Sequence, residues 1–285
     1  MSDVASRASW RRDGLSFREK FVEAATVKNV KVRQYASLSD FAKQTRAHTD
    51  STKVSERDGS SSDDDVVPGT GFTAWDGAAL LGAYCSRRDV WVRLTKRAER
   101  SATDSNPIVT MELGAGTGLA TLMIASSSDA AGGERNRGAV CAMTDLAEVC
   151  ELTRANARDN KAENGGAVPS CVLLAVKPLR WGREEDVEGM PGAIRWPDVV
   201  LGADVMYATN DDVIRALAST TAMLVKPGRV AVFVACKDHR PESVDVFVRA
   251  VEAEGFEVTR VPASTAHVDF PCGDDEFEIL ECWRR

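Results

Sequence analysis

The sequence predicts a doubly wound, mostly parallel α/β sheet with an N-terminal extension. Three observations support this. Short apolar runs rich in β-branched residues alternate with helical patterns from Asp76 onward, the mark of a parallel sheet covered on both faces. One of those runs feeds a glycine-rich turn that opens a helix. The 285 residues are 44% hydrophobic, enough to bury a sizeable core.

The elements follow in order. Residues 1–48 form the extension, in which Val27–Tyr35 (VKNVKVRQY) alternates as a strand, half of a hairpin. Thr49–Asp65 holds one large apolar residue, Val54. That is too little burial to offset the entropy of ordering, so residues 49–67 read as a flexible linker and 68–285 as the α/β domain. Asp76–Arg97 reads as one amphipathic helix. Strands are expected at Ile108–Leu113, Ala139–Thr144, Cys171–Val176, Asp198–Ala203 and Val230–Cys236, the last apolar enough to be central. Helices are expected at Thr117–Ser127, from Leu146 to Asn164, up to Val225, and at Glu242–Glu254, where Gly255 is the stop. Phe256–Val261 and Phe277–Trp283 have no long helix between them and read as an antiparallel pair at the sheet edge. Glu184–Glu188 reads as a solvated acidic loop.

Composition excludes several classes. A net charge of -7 repels phosphates, which disfavours a nucleic-acid binder. The seven cysteines contain no CxxC pair and there are three histidines, so neither a disulfide framework nor a metal site is expected. Cys141 and Cys150 read as core thiols, and His239 and His267 as isolated. No apolar run approaches the ~20 residues of a membrane span. The arginines at 7, 11, 12 and 18 lack an apolar run beside them, and Asp3, Asp13 and Glu19 argue against a transit peptide. A monomer in the cytoplasm or nucleus is the expectation.

The chemistry centres on Glu112-Leu113-Gly114-Ala115-Gly116-Thr117-Gly118. A dinucleotide turn wants glycine where Leu119 stands. The G-x-G-x-G spacing with a preceding acid instead suits S-adenosylmethionine, which has no pyrophosphate, although a plain βα turn is the bland alternative. Asp145 closes the second strand, where an acid either accepts ribose hydroxyls or caps the next helix. Asp204 and Tyr207 follow the fourth strand, where the sheet order reverses. There they either receive and orient a cationic amine or act as a helix cap and a packed aromatic. Trp181 either covers an adenine face or packs in the core. Trp75 either floors the pocket near the methionine end or packs likewise.

Residues from Gly71 onward resemble methyltransferase family 16, class I enzymes that include the lysine methyltransferases of the Hsp70 chaperone, valosin-containing protein and elongation factors. The matching pieces are Gly71 with Trp75-Asp76, Glu112–Gly118, Thr144-Asp145, Asn156 and Asn160, Leu179 with Trp181-Gly182, and Ala203-Asp204-Val205-Met206-Tyr207. The resemblance implies a Rossmann-like, seven-stranded sheet of order 3-2-1-4-5-7-6. It implies an S-adenosylmethionine site at Trp75, Glu112, Gly114, Gly116, Gly118, Asp145, Trp181 and Ala203, with Asp204 and Tyr207 as catalytic residues. It also implies a protein-lysine acceptor, on a chaperone, an ATPase or a translation factor. Arg180 departs from the family, which often has an acid there, and the loop 182–197 is longer. Methylation of arginine, histidine, a small molecule or nucleic acid, and a non-catalytic cofactor-binding module, are the competing functions.

Overall fold

The computed structural model describes residues 24–35, 70–96, 107–127, 139–237 and 240–285. The linker expected at 49–67, His239 and most of the extension lie outside the described residues.

A hairpin comes first: β1 (Ala24–Val27) pairs antiparallel with β2 (Val30–Arg33). Two helices follow, α1 (Asp76–Cys85) and α2 (Arg88–Lys96), where the sequence predicts one. At the break the ladder changes: Ser86 still bonds four residues back to Gly82 (3.0 Å), but Arg87 bonds three back to Tyr84 (3.2 Å), and its guanidinium reaches out to the carbonyls of Thr265 and Ala266.

The main sheet is built from β3 (Ile108–Leu113), β4 (Ala139–Asp145), β5 (Val172–Pro178), β6 (Val199–Ala203), β7 (Val230–Cys236), β8 (Phe256–Val261) and β9 (Phe277–Arg284). Its order is β5-β4-β3-β6-β7-β9-β8, parallel except for β9. Counted within the sheet this is 3-2-1-4-5-7-6. The connecting helices are α3 (Leu119–Ala125), α4 (Cys150–Asp159), α5 (Glu184–Glu188), α6 (Asp211–Leu224) and α7 (Pro241–Ala253). The segment read as a solvated loop is thus helix α5. Its Val187 is buried against the α6 and α7 layer, so one apolar residue among four acids suffices to seat a short helix.

The period of two places the layers. On β7, Val230, Val232 and Val234 face the layer of α1, α2 and α3, while Ala231, Phe233 and Ala235 face that of α5, α6 and α7. Phe233 meets Phe247 edge to face at 4.7 Å. Gly202 on β6 lets that ring approach, since a Cβ there would stand 2.6 Å from it.

The hairpin belongs to the same core. Val30 and Val32 are buried with the α1 and α3 side chains. Its outer edge is received by two asparagines one helical turn apart, Asn156 on α4 and Asn160 at its C-terminal cap. Asn156 accepts the amide of Arg33 (2.8 Å) and donates to its carbonyl (3.1 Å). Asn160 does the same for Lys31 (3.1 and 2.7 Å). Two side chains thus stand in for a neighbouring strand. A triad closes the opposite side: the buried Glu281 on β9 accepts from the buried Tyr84 (2.6 Å) and from both terminal nitrogens of the exposed Arg93.

Candidate active site

The glycine turn sits where β3 ends, beside the point at which the sheet order reverses, the usual position of a ligand in this architecture. Gly114, Gly116 and Gly118 have φ of 65°, 53° and 80°, a region that only glycine enters without strain. Each also admits a close neighbour. A Cβ on Gly114 would lie 2.7 Å from Val205 and 3.1 Å from the Trp181 indole. One on Gly118 would lie 2.9 Å from the sulfur of Met143, and one on Gly116 would lie 3.1 Å from the carbonyl of Gly71.

Four side chains hold this turn. Glu112 is buried and accepts the amide and hydroxyl of Thr121 on α3 (3.1 and 2.5 Å). Burial pushes its carboxyl up to about 7. It braces the first turns of α3 against the strand. Thr144 ties β4 to the Glu112 carbonyl at 2.7 Å. Asp145, half-buried at the end of β4, accepts the amides of Gly116 and Leu146, both at 2.7 Å. Burial pushes its carboxyl up to about 6. Helix α4 starts only at Cys150, so Asp145 sits on the glycine turn instead of at that helix's first turn. Thr153 donates to the Gly116 carbonyl at 2.6 Å.

The segment 70–75 forms a roof over this turn. Gly71 lies on Gly116 and against Val149, and Phe72 packs with Val149, Leu152, Leu146 and Tyr35 in a small cluster of their own. The chain leaving the hairpin fixes the roof from behind. Tyr35 donates its amide to Phe72 (2.8 Å), and the buried Gln34 carbonyl oxygen accepts the amide of Ala74 (3.2 Å). Trp75, half-buried, donates its indole N–H to the Thr70 carbonyl at 2.9 Å, bracing the roof internally.

Ala203 ends β6, and Asp204 follows with φ 52°. Its amide donates to Val234, and its two carboxylate oxygens accept the amides of Gly77 (2.8 Å) and Cys236 (2.9 Å). This carboxylate is a clamp joining α1, β6 and β7. Tyr207, half-buried, meets the Thr70 hydroxyl at 3.1 Å. Burial, with the nearby Asp145 charge adding to it, raises its phenol above the ordinary value, so it stays protonated at neutral pH. Trp181 edges over Gly114. Its neighbour Arg180, the departure from the family pattern, is bound by Asp186 through the backbone and the guanidinium, all at 2.9 Å.

The structure therefore brings Gly116, Asp145 and the roof together at the glycine turn, and joins Trp75 and Tyr207 through Thr70. It puts Glu112 and Asp204 beneath as buried braces. Sequence reasoning missed Thr70, Thr121 and Thr153. One signal existed: Thr153, Asn156 and Asn160 recur at helical spacing and form a buried polar stripe. Among the described residues no group of His, Cys, Asp or Glu is arranged to hold a metal, and no helix is long and apolar enough to cross a membrane.

A doubly wound sheet in this order, with a three-glycine turn after its first strand and an acid after its second, defines a class I methyltransferase. The chain belongs to the lysine methyltransferase family, whose model matches residues 58–254. S-adenosylmethionine is the cofactor of this chemistry, and the donor chemistry at the turn fits it: the Asp145 carboxylate at the end of β4, beside Gly116, is the acceptor that ribose hydroxyls would need. Among solved structures the chain is similar to an O-methyltransferase family protein from Burkholderia thailandensis (16% identity, TM-score 0.43, 69% of this chain and 57% of that one). It is also similar to the CurJ carbon methyltransferase (16% identity, TM-score 0.45, 72% and 55%). A third is magnesium protoporphyrin IX methyltransferase from Synechocystis PCC 6803 with bound SAH (12% identity, TM-score 0.46, 87% and 95%). The chain thus spans little more than half the length of the first two. Comparison with curated proteins gives no match.

Proposed function

We propose that this methyltransferase acts on a lysine side chain of a protein. The observation that carries the reading is the Tyr207 hydroxyl, on the loop after β6 and 3.1 Å from the Thr70 hydroxyl of the roof. When bound, S-adenosylmethionine supplies an electrophilic methyl on a sulfonium that leaves as a neutral thioether. The acceptor nitrogen must offer a lone pair along that line, and a lysine must therefore be neutral. Deprotonating one at pH 7 costs about 4.6 kcal/mol from its ordinary pKa. A desolvated recess offsets part of that cost by disfavouring the ammonium. The Tyr207 oxygen then accepts one N–H and turns the lone pair toward the methyl. The proton carried by the new substituted ammonium leaves to solvent. Asp204, with both oxygens engaged by backbone amides, serves as a brace that ties the end of β6, from which the Tyr207 loop departs, to α1 and β7. Gly114, Gly116, Asp145, Trp75, Trp181 and Ala203 line the cofactor side, and Glu112 supports them from below.

The test is incubation with methyl-labelled S-adenosylmethionine and a cell extract, followed by mass spectrometry of the labelled fraction. Methyl-lysine in a protein is expected. Label confined to small molecules or nucleic acid would overturn the protein target.

A further inference from the structure

We propose that Thr70 is a positioning residue for methyl transfer, fixing the direction in which the Tyr207 hydroxyl points. The inference rests on the amine-acceptor reading above. Thr70 is held unusually well for a residue at the start of a turn. Its carbonyl accepts the Trp75 indole N–H at 2.9 Å, and the next residue, Gly71, lies on Gly116 and Val149. Its hydroxyl stands 3.1 Å from the Tyr207 hydroxyl, joining the roof to the loop after β6.

A phenol has one proton, and its oxygen can donate once while still accepting. If that proton is free to rotate, it competes for the lone pair of an incoming amine and turns it away from the methyl. Thr70 offers an oxygen outside the line of transfer. With Tyr207 donating to Thr70, the phenol presents only its lone pair to the recess, and an amine docks through N–H with its own lone pair left over. One hydroxyl pair thus sets the orientation of the nucleophile without touching it. The chemistry it serves is balanced without Thr70: the N–C bond forms as the S–C bond breaks, and the ammonium proton departs to solvent.

The contact can be read without any acceptor. The chain has three tyrosines, so protein labelled with 3-fluorotyrosine gives three fluorine lines, and Tyr207→Phe identifies one. In Thr70→Val the Tyr207 line should shift, because the hydroxyl that it meets at 3.1 Å is gone. In Thr70→Ser it should return toward the parent. Methyl transfer to extract protein should fall about tenfold in Thr70→Val and recover in Thr70→Ser, as loss of one oriented hydrogen bond predicts. S-adenosylhomocysteine binding, measured by calorimetry, should change less than about twofold and shows that the recess is folded. An unmoved Tyr207 line, or an active parent matched by Thr70→Val, overturns the role of Thr70. A parent that binds S-adenosylhomocysteine and labels no protein overturns the lysine reading and this inference with it, a result distinguishable from the former.

Discussion

The carboxylate of Asp204 accepts the amide of Gly77 at 2.8 Å across 127 residues of chain, and Gly77 has no Cβ because one would stand 2.3 Å from that carboxylate. The two positions are one device. Gly77→Ala should expel the carboxylate, and Asp204→Ala should leave the Gly77 and Cys236 amides without their acceptor. Each is expected to destabilise by about 2–4 kcal/mol and to reduce methyl transfer. Asp204→Asn keeps one acceptor oxygen and tolerates the left-handed backbone, so it should retain more of both. Thermal unfolding and transfer assays on the three variants check this. An Asp204→Ala protein as stable as the parent would remove the clamp.

Cofactor affinity should depend on pH through Asp145. Its carboxyl lies at about 6 in the folded chain, above its unfolded value of about 3.9. The sign follows: this group favours the fold at low pH, and the contribution is lost as pH rises from about 4 through about 6. Ribose hydroxyls donate to the ionised form, so binding works in the opposite direction. S-adenosylhomocysteine should bind about tenfold more weakly at pH 5 than at neutral pH. Asp145→Asn should flatten that dependence, and this control separates it from Glu112, which lies near 7 and within electrostatic reach of Asp145. A parent whose calorimetric titrations are independent of pH would refute the assignment.

Removing the strand mimic should loosen the hairpin. Asn156 makes three backbone bonds, two to Arg33 and one to Thr117 at 2.9 Å. Asn156→Ala should cost about 2–3 kcal/mol and speed hydrogen exchange at Arg33 more than in the central strands. Because both asparagines hold the same hairpin edge, the double variant should depart from additivity. Equal exchange rates in parent and variant would count against the hairpin being held this way.

The Glu281 triad predicts acid sensitivity. Burial pushes this carboxyl up, but the guanidinium of Arg93 and the hydroxyl of Tyr84 outweigh it and hold the group below its ordinary value. Its contribution is therefore complete above its unfolded value of about 4.3 and disappears as pH falls through the lower folded value. Glu281→Ala removes the acceptor of the buried Tyr84 hydroxyl and of the solvent-facing Arg93, and should cost about 1–2 kcal/mol at neutral pH. Denaturant midpoints of parent and variant should converge in acid. A constant gap between them would mean the triad is not ionic.

The parts of the fold that were legible in the sequence are those set by local rules. Val230–Cys236 is found as written because every residue of it is buried, and Phe256–Val261 begins where Gly255 turns left-handed. The glycine turn is legible for the same reason: three residues that must adopt positive φ are written as glycine. What escaped reading is what depends on distant backbone. The amides that Glu112 and Asp204 receive carry no residue-specific mark, so a brace and a catalytic acid look alike in one dimension. Asn156 and Asn160 were legible as family positions, yet their partners lie in a hairpin more than a hundred residues away. α1 ends where Arg87 bonds three residues back to Tyr84, a change that a hydrophobic period does not record.

The asparagine clasp also orders events in time. During synthesis the hairpin residues emerge well before the helix that receives them, since Arg33 and Lys31 wait 123 and 129 positions for Asn156 and Asn160. Closing so long a loop is slow, and a two-stranded hairpin alone is marginally stable in water. The roof over the glycine turn rests on that hairpin through Gln34 and Tyr35. A nascent chain that has already made β3 and its glycines therefore has no finished recess until α4 has folded. The roof over the glycine turn is thus complete only when the hairpin, α4 and β3 have come together.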